Sequence, residues 1–157
     1  MLSETITLRA PTPSDRGAWN ALWTAYLDYY ETVLPKAAHD TAFEQLLSSD
    51  PATFNGRIAW KDAVPVGLVH WVHHPHMWRP EGTCYLQDLF TVPSVRGQGV
   101  GRSLIEVVYA DADARGAPSV YWLTQEFNYA GRMLYDRIGE RTPFIRYNRP
   151  ARTDRLQ

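Results

Sequence analysis

The chain has 157 residues, 45% of them apolar, with a net charge of −1 at pH 7, which suits one domain (1–157) with a substantial core. Without a basic tract it has no footprint for nonspecific contact with nucleic acid or an acidic membrane. A lone cysteine (Cys84), no signal-peptide pattern in the first residues and no apolar run long enough to span a bilayer make a reducing cytoplasm the expected setting.

Residues 5 to 9, Thr-Ile-Thr-Leu-Arg, alternate as a half-buried strand does, and Pro11 and Pro13 end it. Ser14 is placed to cap a helix in which Trp19, Leu22, Trp23, Tyr26, Leu27 and Tyr30 recur at helical spacing, and Pro35 closes it. Most of that aromatic stripe is core, with Tyr26 and Tyr30 near its end in reach of a ligand. A short helix from about Asp40 to Ser48, capped by Asp40, follows. Residues 57–61 and 65–71 then read as an antiparallel hairpin with its turn at 62–64.

The segment His73-His-Pro-His-Met-Trp78 reads as a surface loop holding three of the five histidines. It has neither helical i,i+4 pairing nor a second ligand cluster, so solvated histidines rather than a metal site are expected. Cys84 to Val92 is apolar on both faces, as in a strand at the centre of a covered sheet, and Pro93 stops it. Val100, Leu104, Val107, Val108 and Ala112 mark a helix ending at Gly116 and Pro118. Ser119 to Thr124 is a further central strand, made parallel to the preceding one by the crossover. Asn128 caps a last helix with Ala130, Leu134 and Ile138 inward and Gly139 as the stop. Residues 142–147 read as an edge strand and 150–157 as a frayed tail.

Between the central strand and the helix after it lies Arg96-Gly-Gln-Gly-Val-Gly-Arg102. Glycines at 97, 99 and 101 allow a sharp turn and close approach to a ligand, and the first-turn N–H groups of the helix have no internal partner. With Arg96 and Arg102 beside the positive end of the helix dipole, this is an anion cradle suited to phosphate. A Rossmann site would need glycine at 102 or 104, where Arg102 and Leu104 stand, and no GxxxxGK of a P-loop is present.

The pattern that fits is RxxGxG from Arg96 to Gly101, preceded by Tyr-Leu-Gln-Asp-Leu-Phe-Thr-Val and followed by Asn128 and by Tyr135 in Leu-Tyr-Asp-Arg-Ile-Gly. From the first strand to about Tyr147 the chain resembles the GNAT superfamily of acetyl-CoA-dependent N-acetyltransferases. Residues 85–101 and 128–139, with Trp78 ahead of the strand, look most like the diamine and the fungal histone and D-amino-acid acetyltransferase branch. The resemblance implies a mixed α/β fold, a mostly antiparallel sheet with parallel, splayed fourth and fifth strands and helices on both faces.

The resemblance also implies that acetyl-CoA is the co-substrate. Its pyrophosphate would lie on Arg96, Gly97, Gln98, Gly99, Val100, Gly101 and Arg102, and its pantetheine along Leu89, Phe90, Thr91 and Val92. Asn128 would hold the pantetheine or a water, and Tyr135 would protonate the departing thiolate. Such direct transfer needs no covalent intermediate, so Cys84 reads as a buried thiol rather than a nucleophile. A protonated amine must first lose a proton. Polyamine-acetylating relatives carry Glu-Asp where this chain has Gln87-Asp88, leaving Asp88 as candidate base or amine anchor, with Glu126, His70 and His74 as candidates acting through water. Tyr26, Tyr30, Glu31, Trp78, Gln87 and Glu126 are the candidate acceptor-binding residues, the acceptor being a small amine, an amino acid or a lysine-containing peptide. The edge strand at 142–147 suits a homodimer. The alternative from another class is a noncatalytic acyl-CoA sensor.

Overall fold

Five strands form one sheet in chain order: β1 (Ile6–Arg9), β2 (Asn55–Lys61), β3 (Val64–His76), β4 (Arg79–Thr91) and β5 (Val120–Tyr121). Neighbours are antiparallel except β4 and β5, which run parallel. Helices α1 (Arg16–Tyr29) and α2 (Lys36–Leu47) lead from β1 to β2, and α3 (Val100–Ala114) crosses from β4 to β5. The computed structural model describes residues 5–151, and the chain divides into two compact units between Leu123 and Thr124. The second unit holds α4 (Tyr129–Ile138). Among the described residues no helix is long and apolar enough to cross a membrane.

The register assigns the two faces of the sheet. Ile58 lies opposite Leu68, and both join Trp19, Leu22, Trp23 and Leu27 of α1 and Phe43 of α2 in one buried cluster. Each such side chain contributes about 1.5–3 kcal/mol by leaving water. Gly67 turns the other way, where a Cβ would stand 3.2 Å from Leu104 Cδ1 of α3. Helices therefore cover both faces, and the mixed α/β architecture with a parallel last pair is as expected.

Several boundaries differ from the expectation. Thr12, not Ser14, precedes the turn Pro13–Asp15 that leads into α1, and its N–H donates to the Asp15 carboxylate at 2.7 Å. Helix α2 begins at Lys36 with Pro35 as its N-cap, because the fixed φ of proline suits a helix entry as well as a stop. Asp40 sits inside that helix and takes Lys36 Nζ at 2.6 Å and Arg16 Nη1 at 3.0 Å instead of capping. The segment 73–78 is not a loop: β3 runs on to His76 and β4 starts at Arg79, since His73 pairs with Cys84 and His74 with Thr83.

At the other end, β5 is only two residues long, shorter than 119–124, because just Cys84↔Val120 and Tyr85↔Tyr121 find ladder partners. Residues 142–147 form no strand, since no ladder meets them among the described residues, and Phe144, Ile145 and Tyr147 are exposed. At the start of α4 the Asn128 side-chain Oδ1 accepts from the Gly131 N–H at 3.2 Å, the cap expected, but Ala130 is exposed while Leu134, Tyr135 and Ile138 are half-buried. Residues 152–157 of the expected frayed tail lie outside the described residues.

Candidate active site

Pro93–Val95 turns the chain off β4, and Gly97 and Gly99 follow with φ of +78° and +84°. Glycine enters that left-handed region at no steric cost. A Cβ at either would meet nothing within 4 Å, so the loop surface is open on that side. Gly99 caps α3, and the first helical bond runs from Ser103 N to Gly99 O at 3.0 Å. The amides of Val100, Gly101 and Arg102 precede that bond and are the ones a helix leaves for an anion. Gln98 braces the loop, its Nε2 donating to Ser94 O at 3.2 Å. Arg96 is exposed, and Arg102 donates from Nε to Glu106 at 2.9 Å.

Helix α3 is fixed beneath this loop by one carboxylate. Asp111 Oδ2 accepts from Trp71 Nε1 at 2.7 Å and His73 Nε2 at 3.1 Å, both on β3, and pairs with Arg115 Nε at 3.1 Å. Burial alone would raise its pKa, but these donors outweigh burial and hold it below the usual carboxylate range.

The β3 edge of β4 is laddered from Asp88 to Thr91, with Gly67 opposite Thr91 and the Val92 N–H donating to Val66 O at 2.9 Å. Its other edge pairs with β5 only at Cys84 and Tyr85. Beyond Tyr85, where Leu89, Phe90, Thr91 and Val92 lie half-buried, that edge carries no ladder partner among the described residues. An extended ligand can add there as a strand would. Cys84 is buried at the first of the two β4–β5 pairs, and burial, followed by the nearby Asp111 charge, pushes its thiol up to about 12. A thiol so placed is inert.

On the α1 face, a bulge sets the chemistry. Trp71 pairs with Leu86 but His70 pairs with Asp88, so Gln87 is the extra residue; it is exposed while Asp88 is buried. His70 is buried too, and its Nδ1 lies 3.0 Å from Asp88 Oδ2. Trp19 of α1 donates from Nε1 to His70 Nε2 at 3.0 Å. Tyr26 lies beside Asp88 and Tyr30, and burial followed by the Asp88 charge lifts its phenol well above the ordinary range. Tyr26 thus stays a neutral donor, and its ring packs on Tyr30 at 5.1 Å and on Phe90 at 6.1 Å. A buried carboxylate walled by phenol rings suits a small cation.

The structure therefore brings together Tyr26, Tyr30 and Asp88. Glu31 is exposed just past α1 with φ of +52°, and Trp78 is 82% exposed at the β3–β4 turn against His76, apart from that group. His74 Nε2 meets the Tyr121 hydroxyl at 2.8 Å, and Tyr121 stacks on Tyr85 at 4.9 Å. In the second unit Glu126 is exposed with Arg141 at 3.9 Å, and Asn128 Nδ2 donates to Thr124 at 2.9 Å. Trp19 was legible only as core; nothing in its helical spacing signals a bond to His70.

The chain belongs to the Acetyltransferase (GNAT) family, whose model matches residues 19–139. It is therefore an acyltransferase. Among curated proteins it is similar to the D-amino-acid N-acetyltransferase HPA3 of Saccharomyces cerevisiae, 34% identical over 152 residues, spanning 95% of this chain and 93% of that one. Two solved structures share its fold. One is the aminoglycoside enzyme AAC(6')-Iy with a CoA-linked bisubstrate analogue, with a TM-score of 0.81 at 20% identity, covering 94% of this chain and 99% of that one. The other is the ribosomal-protein-alanine N-acetyltransferase of Brucella melitensis biovar Abortus 2308, with a TM-score of 0.74 at 20% identity, covering 94% and 100%.

Proposed function

We propose that the protein moves the acetyl group of acetyl-CoA directly to a primary amine, with both reactants bound at once. The observation that carries this is the pairing of the left-handed Gly97–Gly99 loop at the start of α3 with the unladdered edge of β4. The amides from Gly97 to Arg102, with the Arg96 and Arg102 charges, take the diphosphate, and the edge from Leu89 to Val92 takes the pantetheine. A β4 backbone N–H steadies the carbonyl oxygen as the amine nitrogen attacks the thioester carbon. The C–S bond then breaks, the thiolate takes its proton from Tyr135, and the proton that the acylated nitrogen sheds restores the Tyr135 phenol through water. Asn128 holds the cofactor arm, as its place in the family motif suggests.

Asp88 receives the ammonium of the acceptor and, directly or through water, the proton that must leave before attack. Tyr26 and Tyr30 wall that position beside Gln87, and Glu31, Trp78 and Glu126 are further residues for contact with the acceptor. Amino acids are the first acceptor class to test, given the D-amino-acid activity named for the yeast relative. Both units serve one domain, a reading supported by a family match that runs across their boundary.

The test is CoA-thiol release from acetyl-CoA with D- and L-amino acids, polyamines and histone peptides. Release that depends on an amine, with the acetylated amine found by mass, is the expected result. Release without any amine, or none with the whole panel, overturns it.

A further inference from the structure

We propose that Trp19 and His70 form a buried positioning pair that fixes Asp88 as a charged anchor for the acceptor ammonium. This rests on Asp88 receiving the acceptor, as above, and adds which residues make it able to do so.

The chain of donors settles which proton is where. An indole N–H can only donate, so the 3.0 Å contact from Trp19 makes His70 Nε2 an acceptor without a proton. The remaining imidazole proton then sits on Nδ1, 3.0 Å from Asp88 Oδ2, and donates to the carboxylate. His70 is thereby held as the neutral Nδ1–H tautomer. It has no free nitrogen with which to take a proton from substrate, so it acts through Asp88 and not as the base.

The pair is enclosed. Trp19, His70 and Asp88 are all buried, Trp23 packs on the imidazole at 5.3 Å, and Tyr26 of α1 lies beside the carboxylate. Among the described residues the ion pairs give Asp88 only His70, so with that imidazole neutral the place beside the carboxylate is open to an incoming cation, which a protonated His70 would have filled. The α1 register is what makes this possible. Trp19 and Trp23 lie one turn apart, so one helix face supplies both the indole donor and the ring packed at a tilt against the imidazole.

Two measurements test it. In the wild-type protein labelled with 15N-histidine, two-bond 15N–1H spectra report whether each ring nitrogen of His70 is pyridine-like or pyrrole-like. A pyridine-like Nε2 and pyrrole-like Nδ1 at neutral pH are expected, and a protonated Nε2 overturns the proposal. In steady-state kinetics, His70→Leu should raise KM for the amine about tenfold or more while KM for acetyl-CoA stays unchanged. His70→Asn, which keeps a donor at the Nδ1 position, should recover most of that loss. Equal effects of the two variants on the amine KM, or none, overturn the positioning role. Asp88→Asn separates the two readings: an unchanged amine KM there refutes Asp88 as anchor, whereas a raised one beside an unaffected His70→Leu refutes only the pair.

Discussion

The Trp71 indole donates to the Asp111 carboxylate at 2.7 Å, and through that bond β3 holds the helix whose first turn forms the glycine loop. His73 and Arg115 meet the same oxygen, so Asp111 gathers three donors at one atom. Asp111→Ala strands the donors of buried Trp71 and half-buried His73 and is expected to cost about 2–3 kcal/mol in urea unfolding, with weaker acetyl-CoA binding at equal folded fraction.

The same carboxylate gives an acid-stability signature. Its donors lower the folded pKa below the unfolded one. The stabilisation is therefore complete above the unfolded value, about pH 4, and is lost as pH falls through the lower folded value. Asp111→Asn keeps an acceptor oxygen without a charge, so its stability should fall less steeply than wild type below about pH 4 in unfolding measured across acid pH.

Gly99 reads out the cradle. At φ +84° an L side chain is strained, and Gly99→Ala is expected to cost about 1–2 kcal/mol and to raise KM for acetyl-CoA more than KM for the amine. A change confined to the amine would place the cofactor elsewhere.

Cys84 should prove dispensable. With its thiol raised to about 12 and its side chain buried, native protein at neutral pH should leave Ellman's reagent unreacted until denaturant is added. Cys84→Ala should keep the acetyl-transfer rate, which a cysteine nucleophile would abolish.

Tyr135→Phe isolates the proton given to the departing thiolate. A fall in kcat of about tenfold to a hundredfold with unchanged CoA affinity by calorimetry is expected. An unchanged kcat at every pH removes Tyr135 from the chemistry.

What could be read from the amino-acid order follows from how local each signal is. The cradle was legible because alternating glycines ahead of an amphipathic run constrain backbone within a few residues, and Gly97 and Gly99 do adopt the left-handed conformation. The α1 stripe was legible for the same reason, since Trp19, Leu22, Trp23 and Leu27 repeat at helical spacing and are buried. The β3–β4 hairpin hid in its histidines, polar residues that do not mark a strand until Thr83 and Cys84 are known to lie opposite.

The bond between His70 and Asp88 was further out of reach. Continuing the tip register of His73↔Cys84 and Trp71↔Leu86 would set His70 against Gln87, and only the bulge moves Asp88 into place. A one-residue slip of this kind reverses which side chains face the helix, and no local pattern announces it. Residues 142–147 show the converse: alternation reads as a strand, but a strand needs a neighbour.

The most direct test of the cradle is a crystal structure of the protein with CoA and an amine acceptor. The expected density puts the diphosphate within hydrogen-bond distance of the amides from Gly97 to Arg102 and the acceptor nitrogen against Asp88. A diphosphate bound on another face, with this loop empty, would contradict it.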